Sequence, residues 1–335
     1  MGIKDLNSFI KLKVPHSITE RQFNYYRGKS IAIDTSIFLY KFIYKNDRYL
    51  EGFFQQIYRL MSNGITPVYV FDGIPSTQKK NVINNRREKK NILKSKTDIL
   101  RGKLSDPSLD GLSKLEIQGE INKLNKKLIY ITNKHINDLK YMFELMNIQY
   151  IQATGEADAY CSALFKDGVV DLCLSDDMDL LASGCRTLLR NFNVSSNSIW
   201  EYDLDIILDT LDLTQDQWID FCILCGCDYT SRIRGIGSKY AYKLIKDYGN
   251  IDTIMRTIFS DNMPYNFNYK IARDIFKNCN YYDYSDVVNR IEHIYGDQLE
   301  KLKYFLRENT NLSDYLLNDR LRHIYNNVPI RKLIL

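Results

Sequence analysis

Histidine is scarce in this chain of 335 residues, and long hydrophobic runs are absent. No two histidines have the spacing of a ligand pair, which argues against a zinc hydrolase; they stand at positions 16, 135, 293 and 323. No stretch reaches the ~18 apolar residues that a membrane helix requires. The first residues, MGIKDLNSFIKLKVP, lack the apolar core of a signal peptide. We therefore expect an intracellular protein that has no membrane partner.

The seven cysteines do not suggest a disulfide framework. An odd number, scattered between Cys161 and Cys279, is typical of reduced thiols in a reducing compartment. Cys222, Cys225 and Cys227 form a C-x-x-C-x-C pattern, but no second pair stands at the usual spacing to complete a tetrahedral metal site. Ordinary packing of a buried helix is therefore the favoured interpretation.

Positive charge is concentrated in one segment. Residues 79–134 hold 15 Lys and Arg against six Asp and Glu, whereas the rest of the chain holds 31 against 35. Two charged helices are predicted here, at 79–104 and 112–131, with a Pro- and Gly-containing turn between them. Such a segment on an acidic body is either the solvated face of a helical hairpin or a binding surface for a polyanion.

Short apolar runs alternate with helical periods in the first part of the chain. The predicted strands are residues 30–34, 66–72, 148–152, 169–175 and 187–192. This alternation indicates βαβ units and a mainly parallel, buried sheet. From about residue 203 the pattern becomes helical. The predicted fold class is α/β, with a mainly parallel central sheet flanked by helices (1–75 and 132–230), an inserted helical arch (76–131) and a helical C-terminal region (231–335).

Carboxylates follow three of these strands. Asp34 ends the first strand, Asp72 ends the second, and Asp177 and Asp179 follow the run at 169–175. A single Asp after a strand is commonly a helix N-cap, but several carboxylates at one sheet edge repel one another unless cations lie between them. With two further acidic motifs, GEADAYC and CGCDY, the set comprises Asp34, Asp72, Glu156, Asp158, Asp177, Asp179 and Asp228. Oxygen ligands without His or Cys suit Mg²⁺ or Mn²⁺.

Two basic motifs accompany this acidic set. Lys79 and Arg86 are seven residues apart, so they lie on one face of the first predicted arch helix and can reach toward one phosphate beside Asp72. In RGIGSKYAYKLIKDYG, Gly235 and Gly237 can form a tight turn whose amides approach a phosphate at the start of a helix. The pattern favours a helix-hairpin-helix that holds nucleic-acid backbone without reading sequence. A plain turn before a helix is the alternative.

Six blocks of sequence together resemble the flap endonucleases, within the XPG-type superfamily of structure-specific nucleases. The blocks, spread in the family's order over residues 1 to about 327, are MGIKDL, AIDTSIFLYKF, VYVFDGIPSTQKK, GEADAYCSAL, LSDDMDLLASG and LCGCDYTSRIRGIGSKYAYKLI. The resemblance implies a PIN-like nuclease core that uses two metal ions. It implies a 5′ flap endonuclease and 5′–3′ exonuclease that cuts DNA near single-strand to double-strand junctions in replication, repair or recombination.

The resemblance also implies roles for particular residues. One Mg²⁺ would be held by Asp34, Asp72, Glu156 and Asp158, and a second by Asp177, Asp179 and Asp228, with Mn²⁺ as a possible substitute. Lys79 and Arg86 correspond to the family's catalytic cations, and Tyr40 to an aromatic residue that stacks on a base. With the charge pattern added, the predicted DNA contacts are Gly2, Tyr40, Lys79, Lys80, Arg86, Arg87, Gly235, Gly237 and Lys239. Backbone oxygens of Arg232, Ile233 and Ile236 would bind K⁺.

The chain departs from the family pattern in two places. Asp158 replaces the usual Glu, which shortens one ligand arm and bears on metal preference. The chain ends at RKLIL, without the basic tail and sliding-clamp peptide of many relatives. The nearest candidate for that peptide, residues 298–305, has Lys301 where an apolar anchor belongs, so we expect a core helix there and no sliding clamp among the partners. We also expect a monomeric protein. The bias toward Asn, Ile, Lys and Tyr is typical of AT-rich coding, as in some large DNA viruses or protists. We expect the protein in a nucleus or, if it is viral, in a virion or at a cytoplasmic replication site.

Other functions stay open at this point. One is a DNA-junction-binding structural factor without catalysis, although a pure binder would gain phosphate affinity by losing the acidic residues. Another is a related nuclease that prefers bubbles, four-way junctions or RNA. A third is a phosphatase of the Asp-x-Asp type built on Asp177 and Asp179, for which the basic segment would be superfluous.

Overall fold

A computed structural model of the chain describes residues 2–46, 48–75, 77–106, 108–260, 266–278 and 296–326. Ser76, Cys279, His293 and the terminal RKLIL, all considered above, lie outside these residues, as does the side chain of Lys80. The described strands form one sheet and are β1 (Ile18–Gln22), β2 (Ser30–Asp34), β3 (Thr66–Phe71), β4 (Gln149–Gln152), β5 (Leu172–Leu174), β6 (Thr187–Arg190) and β7 (Ser198–Asp203).

The sheet is mainly parallel. Its strand order is β1-β7-β6-β5-β2-β3-β4. The five strands from β6 to β4 run parallel to their neighbours, and β7 and β1 extend the sheet in antiparallel fashion. The predicted α/β class is therefore confirmed.

Helices cover both faces of this sheet. In chain order they are α1 (Leu6–Lys13), α2 (Thr35–Asn46), α3 (Tyr49–Ser62), α4 (Lys80–Leu104), α5 (Gly111–Lys127), α6 (Asn133–Leu145), α7 (Ala157–Lys166), α8 (Asp179–Ala182), α9 (Leu204–Leu211), α10 (Gln215–Cys225), α11 (Ser238–Tyr248), α12 (Ile251–Ile258), α13 (Tyr269–Lys277), α14 (Asp297–Asn309) and α15 (Asp314–Asn326). No helix among the described residues is both long enough and apolar enough to cross a bilayer.

The two hydrophobic cores explain why the strands are uninterrupted apolar runs. Successive residues of a strand point to opposite faces. Ala32 and Val68 accordingly join the core that contains α1, α7 and α10, whereas Ile31 and Ile33 join the core that contains α2, α3 and α6. All five residues of β2 are buried. A strand buried on both faces cannot alternate apolar and polar residues, so its run of apolar residues predicts a central parallel strand.

Three details differ from the expectations. Strands β1 and β7 were not predicted, because their residues are partly exposed and mixed in polarity at the edge of the sheet. Strand β5 is shorter than 169–175, since the amides of Val169 and Val170 donate to the carbonyl of Leu164 at the end of α7. Helix α5 ends at Lys127 rather than at residue 131.

The basic segment forms a helical hairpin. Helices α4 and α5 pack on each other through a small cluster of buried residues, Leu100, Ile121 and Leu124. Asp110 begins α5 by accepting a hydrogen bond from the amide of Ser113 at 2.7 Å. After α5 the chain runs through residues 128–131 without regular structure to Thr132, which caps α6 in a reciprocal pair with His135.

The C-terminal helices are tied to the core by a buried ion pair and by apolar packing. Asp220 of α10 is 2% exposed and accepts two hydrogen bonds of 2.8 Å from Arg273 of α13. The segment 298–305 lies in α14, where Leu302 is buried and the amide of Gln298 donates to the Glu144 carbonyl. The prediction of a core helix there is confirmed. The same holds for the packing interpretation of the cysteine motif, since Cys222, Cys225 and Cys227 are all buried.

Candidate metal and nucleic-acid site

Acidic side chains gather at the carboxyl edge of the parallel strands. Asp34 is the last residue of β2, Asp72 follows β3, and Asp177 and Asp179 follow β5. Asp158 joins them from the first turn of α7. Each of Asp158, Asp177 and Asp179 has a carboxylate oxygen within 4.8 Å of those of the other two. The structure thus brings together, in one place, acidic residues from four separate segments of the chain.

Asp34 and Asp72 are held by hydrogen bonds from neighbouring elements. Asp34 accepts hydrogen bonds from the Ser175 hydroxyl at 3.2 Å and from the Ile37 amide at 3.4 Å. The second contact is a long helix-capping bond, so the capping alternative holds in part for this residue. Asp72 accepts a hydrogen bond of 2.8 Å from the amide of Ala157, the first residue of α7. Both carboxylates are therefore fixed in orientation while keeping free oxygen lone pairs.

Burial and mutual repulsion disfavour the charged form of this cluster. Burial, with the nearby charges of Asp72, Asp158 and Asp177, raises the pKa of Asp34 well above its usual range. Burial and the charge of Asp177 do the same to the pKa of Asp179. Burial raises the pKa of Asp158 to about 7, although the Lys79 ammonium opposes the shift. Without a cation, this site holds protons near neutral pH, and a divalent ion would take their place.

Three features of the site suit a hard divalent cation. Its acidic donors are all oxygens, as Mg²⁺ and Mn²⁺ prefer. Asp179 is 2% exposed, and its Oδ1 has no hydrogen-bond partner among the described residues. Gly2 adopts φ of +75°, and a Cβ there would overlap carboxylate oxygens of Asp177 and Asp179. The orphaned oxygen and the close glycine backbone leave a polar cradle that a bound ion would fill.

Two basic side chains from the base of the helical hairpin neutralise part of the negative charge of the acidic residues. The Lys79 ammonium ion-pairs with Glu156 and lies 3.9 Å from Asp158. Burial lowers the pKa of Lys79, but the carboxylates of Asp158 and Glu156 outweigh it and raise this pKa overall. Arg86 donates to Asp228 at 2.8 Å and stays half exposed. Lys79 is the residue that precedes α4 and Arg86 lies within this helix, and both reach carboxylates of the acidic site, as their seven-residue spacing suggested.

Sequence reasoning missed Tyr229. Its hydroxyl donates to Glu156 at 2.8 Å, and its ring centroid lies 4.9 Å from the Lys79 ammonium. The residue is buried. Its position directly after Asp228, in CGCDY, was the one available signal. That position alone does not predict a contact with Glu156 or Lys79, because both come from distant parts of the chain.

The other predicted nucleic-acid contacts lie on exposed surfaces. Tyr40 of α2 is 43% exposed, and Arg87 of α4 and Lys239 of α11 are exposed as well. Gly235 adopts φ of +88°, a conformation that favours glycine, and Gly237 caps α11.

Two of the three carbonyls predicted to bind K⁺ accept hydrogen bonds within the turn that precedes α11. The Ile233 carbonyl accepts from the Ile236 amide at 3.3 Å, and the Ile236 carbonyl from the Arg232 guanidinium at 3.2 Å. Each carbonyl oxygen has a second lone pair, so these bonds leave room for a cation.

Fold and site together define an XPG-type α/β protein. The XPG N-terminal domain matches residues 1–92, and the XPG I-region matches residues 147–228. The chain is 35% identical over 296 residues to flap endonuclease 1 of Aedes aegypti, an alignment that covers 83% of this chain and 75% of that protein. The chain belongs to the flap endonuclease family, and the resemblance inferred from its motifs is confirmed.

Solved structures agree with this assignment. The flap endonuclease-1 structure from Methanococcus jannaschii superposes with a TM-score of 0.64 at 25% identity, covering 93% of this chain and 96% of that one. The catalytic core of Rad2 in complex with DNA substrate has the same fold, with a TM-score of 0.69 at 20% identity over 96% of this chain and 100% of that one.

Metal-free stability depends on pH through these carboxylates. The pKa of Asp158 is about 7 in the folded protein against 3.8 as its ordinary value, so folding takes up a proton between these pH values. The stability of the metal-free protein then falls as pH rises from about 4 to about 7. A divalent cation held by these carboxylates would compete with the protons, so we expect saturating Mg²⁺ to raise Tm by ~5 °C or more at pH 8 and by much less at pH 5.5.

Thermal unfolding in EDTA and in Mg²⁺ at both pH values, at matched ionic strength, measures this difference. An equal Mg²⁺ shift at the two pH values would contradict the proton–metal competition.

Proposed function

We propose that this protein is a structure-specific 5′ nuclease that hydrolyses DNA phosphodiesters near junctions between single and double strands. The observation that carries the proposal is the buried cluster of Asp158, Asp177 and Asp179, with two cations from a basic helical hairpin beside it. The family membership supports the reaction, and the DNA-bound Rad2 core supports DNA as the polymer that such a fold accommodates. A positively charged insertion next to an acidic site fits a polyanionic substrate better than a small phosphate ester.

The acidic residues would hold two divalent ions, Mg²⁺ with Mn²⁺ as a substitute. The first set comprises Asp34, Asp72, Glu156 and Asp158, and the second Asp177, Asp179 and Asp228. Bound ions supply Lewis-acid stabilisation of the charge on the scissile phosphate and on its leaving oxygen. Asp158 and Asp179 are buried, so little water surrounds their carboxylates. Electrostatic interactions between these carboxylates and a bound cation would therefore be stronger than at an exposed site.

Lys79 and Arg86 would exchange partners when DNA arrives. In the structure they pair with Glu156 and Asp228. Those carboxylates would hold the metal ions, and the ammonium and guanidinium groups would then be available to the phosphate, whose negative charge grows in the transition state. Arg86 has the greater freedom for this because it is half exposed, while Lys79 is enclosed by Tyr229.

The remaining segments would handle the rest of the substrate. The arch (76–131) would select a free 5′ single strand, next to the core formed by 1–75 and 132–230. The region 231–335 would hold duplex backbone through Gly235, Gly237 and Lys239, with K⁺ on backbone oxygens of Arg232, Ile233 and Ile236. The protein would act as a monomer in a nucleus or at a viral replication site. Residues 1, 47, 76, 107, 261–265, 279–295 and 327–335 of these segments lie outside the described residues.

Cleavage assays test this proposal. They compare labelled 5′-flap, bubble, four-way-junction and RNA substrates, each with Mg²⁺ and with EDTA. We expect the 5′ flap to be cut fastest, near its junction, and no cleavage in EDTA. Preferred cutting of bubbles, junctions or RNA would favour the related-nuclease alternative. Tight binding of all junctions without cleavage would favour the structural factor and overturn the proposal.

A further inference from the structure

The Lys90 side chain lies between two exposed tyrosines at the base of the helical hairpin. Its ammonium is 5.6 Å from the ring centroid of Tyr40 and 4.5 Å from that of Tyr130, and it donates to the Ile129 carbonyl at 2.6 Å. Tyr40 is 43% exposed and Tyr130 is 48% exposed. We call these three residues the Tyr40–Lys90–Tyr130 cluster. Its two ring centroids lie within about 10 Å of each other, because both are close to the same nitrogen.

The cluster adjoins the acidic site. Tyr40 belongs to α2, which begins directly after Asp34. Lys90 lies one helical turn beyond Arg86, which contacts Asp228. Tyr130 belongs to the irregular segment between α5 and α6, where the hairpin returns to the core. A single strand that enters the hairpin from the acidic site would therefore pass these two rings.

A purely structural role explains the cluster less well. Two rings and a cation can hold a hairpin in place, but Tyr40 and Tyr130 both remain nearly half exposed beside the cation. Burial lowers the pKa of Lys90, and the nearby Arg86 adds to the effect, so the ammonium sits in a position that disfavours its charge. The ammonium is held by one backbone hydrogen bond and two ring contacts, and a base that displaced it would meet an aromatic face.

We propose that Tyr130 stacks on a nucleobase of the single strand, next to Tyr40 and in place of the Lys90 ammonium. This inference rests on the proposed function, because it takes the ligand to be a single strand of nucleic acid at this site. Base–aromatic stacking tolerates any sequence, since every base has a π-face. It fits an enzyme that recognises a strand junction rather than a base sequence, and it is worth about tenfold in affinity per stacked base.

Binding to flap DNA with and without bases in the flap tests the proposal. Affinities are measured in EDTA, where cleavage does not interfere, using 5′ flaps that carry either normal nucleotides or abasic sites. We expect the wild-type protein to bind the normal flap about tenfold more tightly than the abasic flap. Tyr130→Leu, which keeps an apolar side chain but no ring, should lose the part of this preference that Tyr130 supplies and keep the part that Tyr40 supplies, whereas Tyr130→Phe should keep all of it. A 2-aminopurine in the flap should be quenched by the wild type and Tyr130→Phe, and less by Tyr130→Leu.

The matched control is Tyr25→Leu. Tyr25 is also exposed, and a guanidinium, that of Arg21, lies 4.6 Å from its ring centroid, but it stands outside the cluster. This variant should keep the base preference. Equal weakening of normal and abasic flaps by Tyr130→Leu would show that the ring merely positions the hairpin, and an unchanged base preference would exclude stacking. Either result overturns the inference while flap cleavage in Mg²⁺ persists. If the wild type cuts no substrate, the proposed function fails, and the quenching experiment still decides the role of Tyr130.

Discussion

Replacing Asp179 with Asn lowers Mg²⁺-dependent cleavage of a 5′ flap by about 10³-fold or more and leaves flap binding within a few-fold of the wild type. Asp179 is 2% exposed, and its Oδ1 has no hydrogen-bond partner among the described residues, so its role is to supply charge to a cation. A metal ion contributes several kcal/mol of transition-state stabilisation, and each 1.4 kcal/mol is tenfold in rate. Single-turnover cleavage and equilibrium binding, measured on the same flap, separate the two effects.

The same variant should be more stable without metal. Burial and the charges of Asp177 and Asp158 raise the pKa of Asp179, so its replacement by an uncharged amide removes a charge that the site disfavours, and Tm in EDTA should rise above that of the wild type. Asp176→Asn is the matched control. Asp176 lies in the same loop but pairs with Lys41 at 2.9 Å, outside the cluster, and we expect this variant to cut at nearly the wild-type rate. Undiminished turnover by Asp179→Asn would refute the assignment of the site.

Replacing Lys79 with Met lowers turnover at saturating DNA by about 10²-fold and makes Mg²⁺ bind more tightly. The ammonium pairs with Glu156 and lies 3.9 Å from Asp158, so it competes with a divalent ion for these carboxylates. Its loss removes that competition, but it also removes a positive charge that would act on the phosphate in the transition state. The two effects have opposite signs, which distinguishes a catalytic cation from a structural one.

Turnover measured over a range of Mg²⁺ concentrations reports both the loss of catalytic charge and the tighter binding of Mg²⁺. We expect a lower maximum and a half-maximal Mg²⁺ concentration below that of the wild type. Lys89→Met, a change to an exposed lysine of the adjoining helix α4, should leave both values nearly unchanged. If Lys79→Met instead needs more Mg²⁺ and recovers full turnover when Mg²⁺ is raised, Lys79 supports metal binding and is not a catalytic cation.

The parts of the fold that could be predicted from the sequence are those in which neighbouring residues follow a single local pattern, such as burial on both faces of a strand or the repeat of a helix. Strand β2 is buried on both faces, so SIAID is apolar until Asp34, and the Asp marks the sheet edge where the acidic residues meet. Lys79 and Arg86 were predictable because the helical repeat puts residues seven apart on one face. In each case one local rule, burial or helical periodicity, determines the pattern.

The parts that could not be predicted depend on contacts between distant segments. Strand β1 pairs with β7 across 180 residues, with Glu20 opposite Trp200, and nothing local in ITERQ indicates that partner. Tyr130 was included in a predicted helix, although the chain leaves regular structure at Leu128 and brings this ring to Lys90 of α4. Tyr229 gains its meaning only beside Glu156 and Lys79. In a chain with 25 tyrosines, composition alone does not single out these two.

Crystals of the full chain soaked in Mn²⁺ test the central claim most directly, because anomalous scattering locates the ions independently of any activity. We expect two peaks about 4 Å apart at the carboxyl edge of the sheet, one among the oxygens of Asp34, Asp72, Glu156 and Asp158 and one among those of Asp177, Asp179 and Asp228. Peaks elsewhere, or none among these carboxylates at a pH above the pKa of Asp158, would contradict the account.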